Sequence, residues 1–327
     1  KVKADLQRLY ADRTNHEQMR VVLGGKSFDA IIDLSAYRVE DVQLMYDIFN
    51  GKTGHYIFAS STLIYGRSDL LPITESHPVD RSNIQSDYAF GKLACEDFLV
   101  EKFHSEGFPA TIGVLSMVFG PNNIIKDREQ RMFKRLLLGR KVLIPGDGTT
   151  MGQIGHVEDS ARAFVMMMGK PVTFGKRYNI VSDDYYTDEG YVDTFAKVTG
   201  TQPEKVYIPH DMMNDLWSGK IELKMPDIQA NINVRSSPAD LRMMALFNLT
   251  KLIQRSGFNI HPWNRNVIYS VNRLKEDIGW RPRYTFAGAV EQTFQWYIQN
   301  GLDKTAEFDF GFEDQLLAMI QSKTPGL

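Results

Sequence analysis

Two short apolar runs, "FDAIIDLSAY" (Phe28 to Tyr37) and "GHYIFASS" (Gly54 to Ser61), are rich in isoleucine and aromatic residues. Continuous runs of that length predict strands buried on both faces. Between them, "RVEDVQLMYDIFNGK" places Val39, Val42, Met45, Tyr46 and Phe49 at helical spacing and offers Gly51 as a stop. The unit of strand, helix and strand then repeats. "YAFGKLACEDFLVEKFHSEG" predicts a helix ended by Gly107, and "ATIGVLSMVFG" predicts another buried strand. Such alternation argues for an α/β fold with a doubly wound parallel sheet, helices covering both faces.

Beyond Gly120 the rhythm is less regular. "QRMFKRLLLGRK" suits an amphipathic helix closed by Gly139, "PGDG" is turn chemistry, and "VEDSARAFVMMMGK" predicts a helix with Glu158 or Asp159 near its start. A strand is predicted at "KRYNIVS", followed by a helix capped by Thr187 and ended by Gly200. Residues 201–270 alternate poorly and carry turn signals such as "SSPAD", which predicts a smaller mixed lobe. The stretch "VNRLKEDIGWRPRYTFAGAVEQTFQWYIQNG" predicts two helices around a proline-containing loop. The expected division is a sheet domain from residues 1–120 and about 152–182, with a C-terminal lobe from about 121–151 and 183–327. No internal repeat or low-complexity linker interrupts the chain.

Composition narrows the class. A chain of 327 residues with 43% hydrophobic content can bury a sizeable core in one large or two interleaved domains. A formal net charge of −2 gives no electrostatic footprint for nucleic acid or an anionic membrane, so neither partner is expected. The single cysteine, Cys95, cannot form an internal disulfide, argues against a structural zinc site and suits a reducing compartment. No apolar run approaches bilayer length, and "KVKADLQRLYADRTNHEQ" lacks the apolar centre of a secretion signal, so a cytoplasmic protein is expected.

Candidate chemistry begins with "YAFGK". On a helix, Tyr88 and Lys92 lie one above the other, and an ammonium near a phenol favours the phenolate needed for proton transfer. That spacing arises readily by chance among 14 tyrosines, so its surroundings matter. Upstream, "FASSTLIYG" puts Ser60, Ser61 and Thr62 where a buried strand breaks into a loop. Ligands of parallel α/β sheets bind beyond the carboxyl ends of the strands, so a hydroxyl there could hold a substrate oxygen while the tyrosine exchanges its proton. Cys95 has no His/Asn arrangement to make it a nucleophile, His156 in "GHVED" suits a structural cap, and the methionines of "VMMMGK" suit core filling.

With these landmarks the chain resembles the extended short-chain dehydrogenase/reductase family, the NAD-dependent epimerases, dehydratases and related enzymes. "FASSTLIYG", "PITE", "YAFGKLACE", "VFGPNN", "VLIPGDGTTMGQIGHVEDSARAF", "YNIVSDD" and "LKEDIGWRPRYTF" carry the resemblance over nearly the whole chain. It implies a Rossmann-like fold with NAD or NADP as cofactor. Tyr88 would be the acid/base and Lys92 would lower its pKa and bind the nicotinamide ribose. Ser61 would hold the reacting oxygen, with Thr62 a second candidate. The resemblance further places Asp12 and Arg13 of "YADRTN" at the adenine, and Leu34, Ser35, Ala36 and Ser60 along the cofactor groove. It implies a homodimer, packed through the helix around residues 39–50 and the Tyr88 helix.

The departures bear on substrate. Dehydratases of this kind carry Thr-Asp-Glu where Ser61, Thr62 and Leu63 stand here, so water elimination by that route is disfavoured. Met117 stands where nucleotide-sugar enzymes often have asparagine, and Gly152 where an arginine often meets the diphosphate. Asn122, Asn123, Arg128 and Gln153 are the polar groups left for a substrate. No GxxGxxG or GxGxxG occurs, which raises the expectation that a preceding segment or another chain supplies the phosphate cradle. The expected activity is that of an epimerase or dehydrogenase acting on a nucleotide sugar or related sugar. The alternatives are a carbonyl reductase of a non-sugar metabolite and a non-catalytic binding protein, since "GTTMGQIGHVED" also resembles the chloroplast stem-loop RNA-binding branch of the family.

Overall fold

The computed structural model describes residues 6–82, 85–221, 248–255 and 262–323. Helix α1 (His16–Leu23) precedes β1 (Ile31–Asp33), α2 (Val39–Phe49), β2 (Tyr56–Ser61), α3 (Asp87–Glu106) and β3 (Ala110–Leu115). The first strand is shorter than its apolar run for a local reason. Asp33 accepts hydrogen bonds from the backbone N–H groups of Ser35 and Ala36, a side-chain-closed turn that ends the ladder. Caps set the helices: Ser86 accepts from Ala89 N at the start of α3, and Gly107, at φ 73°, ends it in the left-handed conformation glycine adopts without strain.

Beyond β3 come β4 (Val118–Phe119), α4 (Glu129–Leu137), β5 (Val142–Pro145), β6 (Met151–Gly152), β7 (Gly155–His156), α5 (Val157–Met167) and β8 (Arg177–Ile180). Four parallel strands form the main sheet in the order β1-β2-β3-β8, with Tyr56 paired to Ala110 and Ile112 to Arg177. Ile57, Phe58, Ile112 and Val114 of its central strands are buried together with Val42, Leu93 and Leu99 of the crossover helices. At about 1.5–3 kcal/mol per fully buried large apolar side chain, this layer is the main driving force for sheet formation. Val267, Tyr269, Val271, Leu274 and Trp280, from far along the chain, complete the same core.

One buried polar post stands within this layer. His55 accepts from Gly169 N through Nδ1 and meets Thr111 Oγ1 through Nε2 at 2.8 Å, while Thr111 donates to the carbonyl of Thr173. Burial pulls the imidazole pKa down to about 4. Because the folded value lies below the unfolded one, the stabilisation is complete above about pH 6.5 and is lost as pH falls towards about 4. The size of the shift sets that loss at about 3 kcal/mol. Urea unfolding at stepped pH should show this slope in the parent and a flatter one in His55→Asn; equal slopes would remove His55 as its source.

The second lobe adds β9 (Tyr186–Thr187), α6 (Asp188–Thr199), β10 (Lys205–Ile208) and α7 (His210–Ser218). Here β5 pairs in parallel with β10, β4 in parallel with β7, and β6 antiparallel with β9. Its core is aromatic: Phe133 lies 5.0 Å from Phe195, and Tyr186 stacks on Phe286 at 4.3 Å. The predicted C-terminal pair appears as α8 (Asn272–Ile278) and α9 (Phe286–Gln299), and two helices not predicted follow, α10 (Leu302–Thr305) and α11 (Gly311–Lys323). The "SSPAD" turn signal lies outside the described residues.

Helix α4 departs from a simple amphipathic reading, because its charged face is buried as well. Arg131 Nε and Nη2 grip Glu313 of α11 at 2.9 and 2.8 Å, and Arg135 Nη2 shares the same carboxylate at 2.5 Å. Among the described residues no helix is long and apolar enough to cross a membrane, and no cluster of His, Cys, Asp and Glu is arranged to hold a metal ion.

Candidate active site

The carboxyl ends of β1 and β2 and the first turns of α3 converge. Tyr88 and Lys92 follow the Ser86 cap on one face of α3, and Ser61 is the last residue of β2. The Ser61 side chain, which accepts from Leu63 N at 3.3 Å, lies near the Tyr88 phenol. Burial pushes the phenol pKa up to about 12, Ser61 and the charge of Arg128 pull against burial, and the neighbouring phenol of Tyr37 adds to it. Thr62 is buried at the start of the turn after β2.

Lys92 is 3% exposed, and its Nζ donates to the carbonyls of Ala36 and Ala59, each at 2.7 Å. The ammonium also lies 4.6 Å from the Tyr37 ring centre and 5.8 Å from that of Tyr88. Burial pulls its pKa down to about 8. Arg128 is thus a second cation near the Tyr88 phenol, beside the Lys92 expected from the sequence. Two carbonyls hold the Lys92 ammonium at the sheet, and one of its three protons is left over.

A relay of contacts fixes this arrangement. Arg13 Nη1 donates to Asp33 Oδ1 at 3.0 Å, its Nη2 pairs with Oδ2, and Nη1 also reaches Ser35 Oγ at 3.0 Å. Tyr56 donates to the same Asp33 carboxylate at 2.5 Å. Asp33 in turn shapes the turn whose Ala36 carbonyl receives Lys92. Arg13, expected at the cofactor, is thus engaged inside the chain, because a buried carboxylate requires a partner of opposite charge. Asp12 is exposed and accepts from Thr14 N and Oγ1 at 2.9 and 2.8 Å. Leu34, 60% exposed, and Ser35 remain open at the end of β1, while Ala36 is fully buried.

The other expected site residues divide. The Ser60 hydroxyl faces Glu96 in the interior, since successive strand side chains point to opposite faces. The Gln153 amide, 1% exposed, donates to Ser182 O at 2.6 Å and accepts from Tyr269 N at 2.7 Å. It stitches chain segments together, which corrects its expected place on the substrate. Asn123 is likewise committed, its Nδ2 lying 3.0 Å from both Glu129 carboxylate oxygens. Asn122 stays exposed at φ 65° and lines a cleft with Phe119, Gly120 and Arg128. Cys95 is buried with its thiol pKa pushed up to about 12, which suits packing. His156 Nε2 meets Gln292 at 2.8 Å, so its ring joins two elements and does not cap α5.

Sequence reasoning missed Asp33, Tyr37 and Gly91. Asp33 before a loop was a usable signal, because aspartate closes turns on its own backbone. Gly91 carried none, since its need arises only in three dimensions: a Cβ there would sit 2.2 Å from the Tyr37 carbonyl oxygen. Gly91→Ala should therefore force α3 away from the 34–37 loop, despite the better helix propensity of alanine. A loss of about 1–3 kcal/mol in denaturant unfolding is expected, and unchanged stability would show that the loop yields freely.

Comparison with known proteins bears on the family and the fold. The model of the family described as "NAD dependent epimerase/dehydratase family" matches residues 1–181, more than half of the chain. The chloroplast stem-loop binding protein of 41 kDa b from Arabidopsis thaliana is 30% identical over 200 residues, covering 61% of this chain and 50% of that protein. The dTDP-D-glucose 4,6-dehydratase of Homo sapiens is 23% identical over 247 residues, covering 75% and 57%. The chain thus spans about half the length of these curated relatives. Among solved structures, dTDP-glucose 4,6-dehydratase from Bacillus anthracis in complex with NAD superposes with a TM-score of 0.64 at 18% identity, covering 89% of this chain and 79% of that one. That likeness shows the Rossmann fold.

Proposed function

This chain belongs to the NAD dependent epimerase/dehydratase family, and from that premise we propose that it is an NAD(P)-dependent epimerase or dehydrogenase acting on a hydroxyl or carbonyl carbon of a sugar, with a nucleotide sugar the favoured substrate. The observation carrying this reading is the gathering of Ser61, Tyr88 and a buried Lys92 held by two carbonyls at the carboxyl ends of parallel strands. Two neighbouring hydroxyls can flank a substrate oxygen, one orienting it and the other exchanging its proton.

The residues present fit the nicotinamide half of a dinucleotide. Lys92 retains a proton for a ribose hydroxyl, and Leu34, Ser35 and the half-exposed Tyr37 present accessible surface just after β1. A bound nicotinamide would supply hydride transfer. In the direction of reduction, Tyr88 is a proton donor held neutral by burial, and Ser61 fixes the oxygen that receives the proton. In the direction of oxidation, the phenol must first be ionised, and the positive charges close by are Arg128 and Lys92. Ser61, Thr62 and Leu63 supply no carboxyl group, which favours epimerisation or simple oxidation over loss of water.

The direct test is calorimetric titration with NAD and NADP, followed by incubation of the loaded protein with UDP-glucose or dTDP-glucose and NMR analysis of the sugar. Binding of one dinucleotide and appearance of a 4-epimer or a keto sugar are expected; failure of both dinucleotides to bind would overturn the reading. A second reading, recognition of a structured nucleic acid, is favoured by the 30% identity to the stem-loop binding protein. Salt-dependent retention of a stem-loop RNA without dinucleotide binding would select it.

A further inference from the structure

Among the described residues, most arginines that are not exposed have acidic partners. Arg13 pairs with Asp33, Arg131 and Arg135 with Glu313, Arg177 with Glu96, and Arg255 with Asp188. Arg128, half-buried at the start of α4, has no carboxylate within ion-pairing distance among the described residues. Its Nη1 donates to Val118 O at 3.0 Å, and its Nε is buried without a partner. The neighbouring acids are engaged elsewhere. Glu129 takes Asn123, Gly120 N and Gln254, while Asp127 takes Arg131 and Lys251.

A guanidinium whose buried Nε has no partner is costly to keep unless something completes it. Arg128 lines a cleft of about 260 Å³ with Val118, Phe119, Gly120, Asn122 and Ile124. Asn122 holds the left-handed conformation in this wall, a strained choice for a non-glycine residue that leaves its amide exposed at the rim. The charge of Arg128 is also felt at the Tyr88 phenol, so the two groups lie within electrostatic reach of each other. Planar, bidentate donors match carboxylate and phosphate oxygens.

We propose that Arg128 is a specificity-determining residue that binds an oxoanion, a carboxylate or a phosphate, carried by the substrate next to the oxygen on which Tyr88 acts. The inference rests on the activity proposed above and narrows its substrate to an acidic sugar or a sugar phosphate. Asn122 contributes a further hydrogen bond at the mouth of the cleft.

The test is calorimetric titration of the dinucleotide-loaded chain, at low ionic strength, with sodium glucuronate and with inorganic phosphate. Parent, Arg128→Gln and Arg128→Lys are compared, with circular dichroism to confirm folding. One of the two anions should bind the parent, and the preferred anion identifies the substrate's acidic group. Arg128→Gln should weaken binding by about 10- to 100-fold, and the lysine variant, which keeps the charge but loses the fork, should lie between. Equal affinity in parent and Arg128→Gln, or no binding of either anion to the parent, would overturn the proposal. If the dinucleotide binds and Tyr88 proves essential while anion binding ignores Arg128, this inference fails and the proposed activity stands. Arg128-dependent anion binding by a chain that takes up no dinucleotide would support the anion site and reject the activity.

Discussion

Tyr88→Phe should reduce turnover by about 10²- to 10⁴-fold, the range lost with a general acid or base, and leave dinucleotide affinity unchanged. The substitution removes one oxygen. The ring keeps its place 5.9 Å from Tyr37, and Lys92 keeps both carbonyl partners, so the fold and the groove survive. What disappears is the proton that burial holds on the phenol. Steady-state kinetics and a dinucleotide titration on the same preparation separate the two effects. Turnover equal to the parent's would transfer the acid/base role to another group, and lost dinucleotide affinity would mean that the phenol serves binding.

The largest expected loss of stability comes from Glu313→Ala. Its carboxylate receives three hydrogen bonds from Arg131 and Arg135, and both arginines are 1% exposed. Burial works against the charge of Glu313, yet the two arginines hold its pKa below the ordinary value. Removing the acid leaves Arg135 confined without a counter-charge and Arg131 with Asp127 alone, at a cost of about 3–5 kcal/mol. The damage should also reach the anion cleft, because Arg128 stands at the head of the helix that carries Arg131 and Arg135. Urea unfolding of parent, Glu313→Ala and Glu313→Gln would measure it. A midpoint in the alanine variant equal to the parent's would show that α11 detaches at little cost.

The sheet was legible because its central strands are buried on both faces and therefore read as unbroken apolar runs, as "YIFASS" and "ATIGVL" show. Helix ends were legible where a small residue carries the signal, as at Ser86 and Gly107. The site was legible in part. Tyr88, Lys92 and Ser61 share a helix start and a strand end, so spacing alone brings them together. Arg13 and Gln153 misled because a polar residue in a loop looks the same whether its partner is a ligand or the chain itself. Asp33 and the carbonyls of Ser182 were their partners, and only the folded distances say so. The burial of Arg131 and Arg135 was hidden for a related reason. Their covering helix begins 180 residues later by sequence number, at Gly311 (311 − 131 = 180), and nothing local announces it.

The two cores are threaded through one another. The chain leaves the first after Leu115, returns with Ala163, Phe164, Met167, Tyr178 and Ile180, leaves again and comes back with Val267, Tyr269, Val271, Leu274 and Trp280. The second core takes Phe133, then Phe195, then Phe286 and Phe312 from the intervals and the end. A single genetic crossover between this chain and a relative would therefore join half of each core to foreign packing, whichever side of the junction is kept. Productive recombination of substrate specificity would need several exchanged segments at once, so new specificities in such a molecule should arise more readily by point substitution along the Arg128 cleft than by the shuffling of lobes.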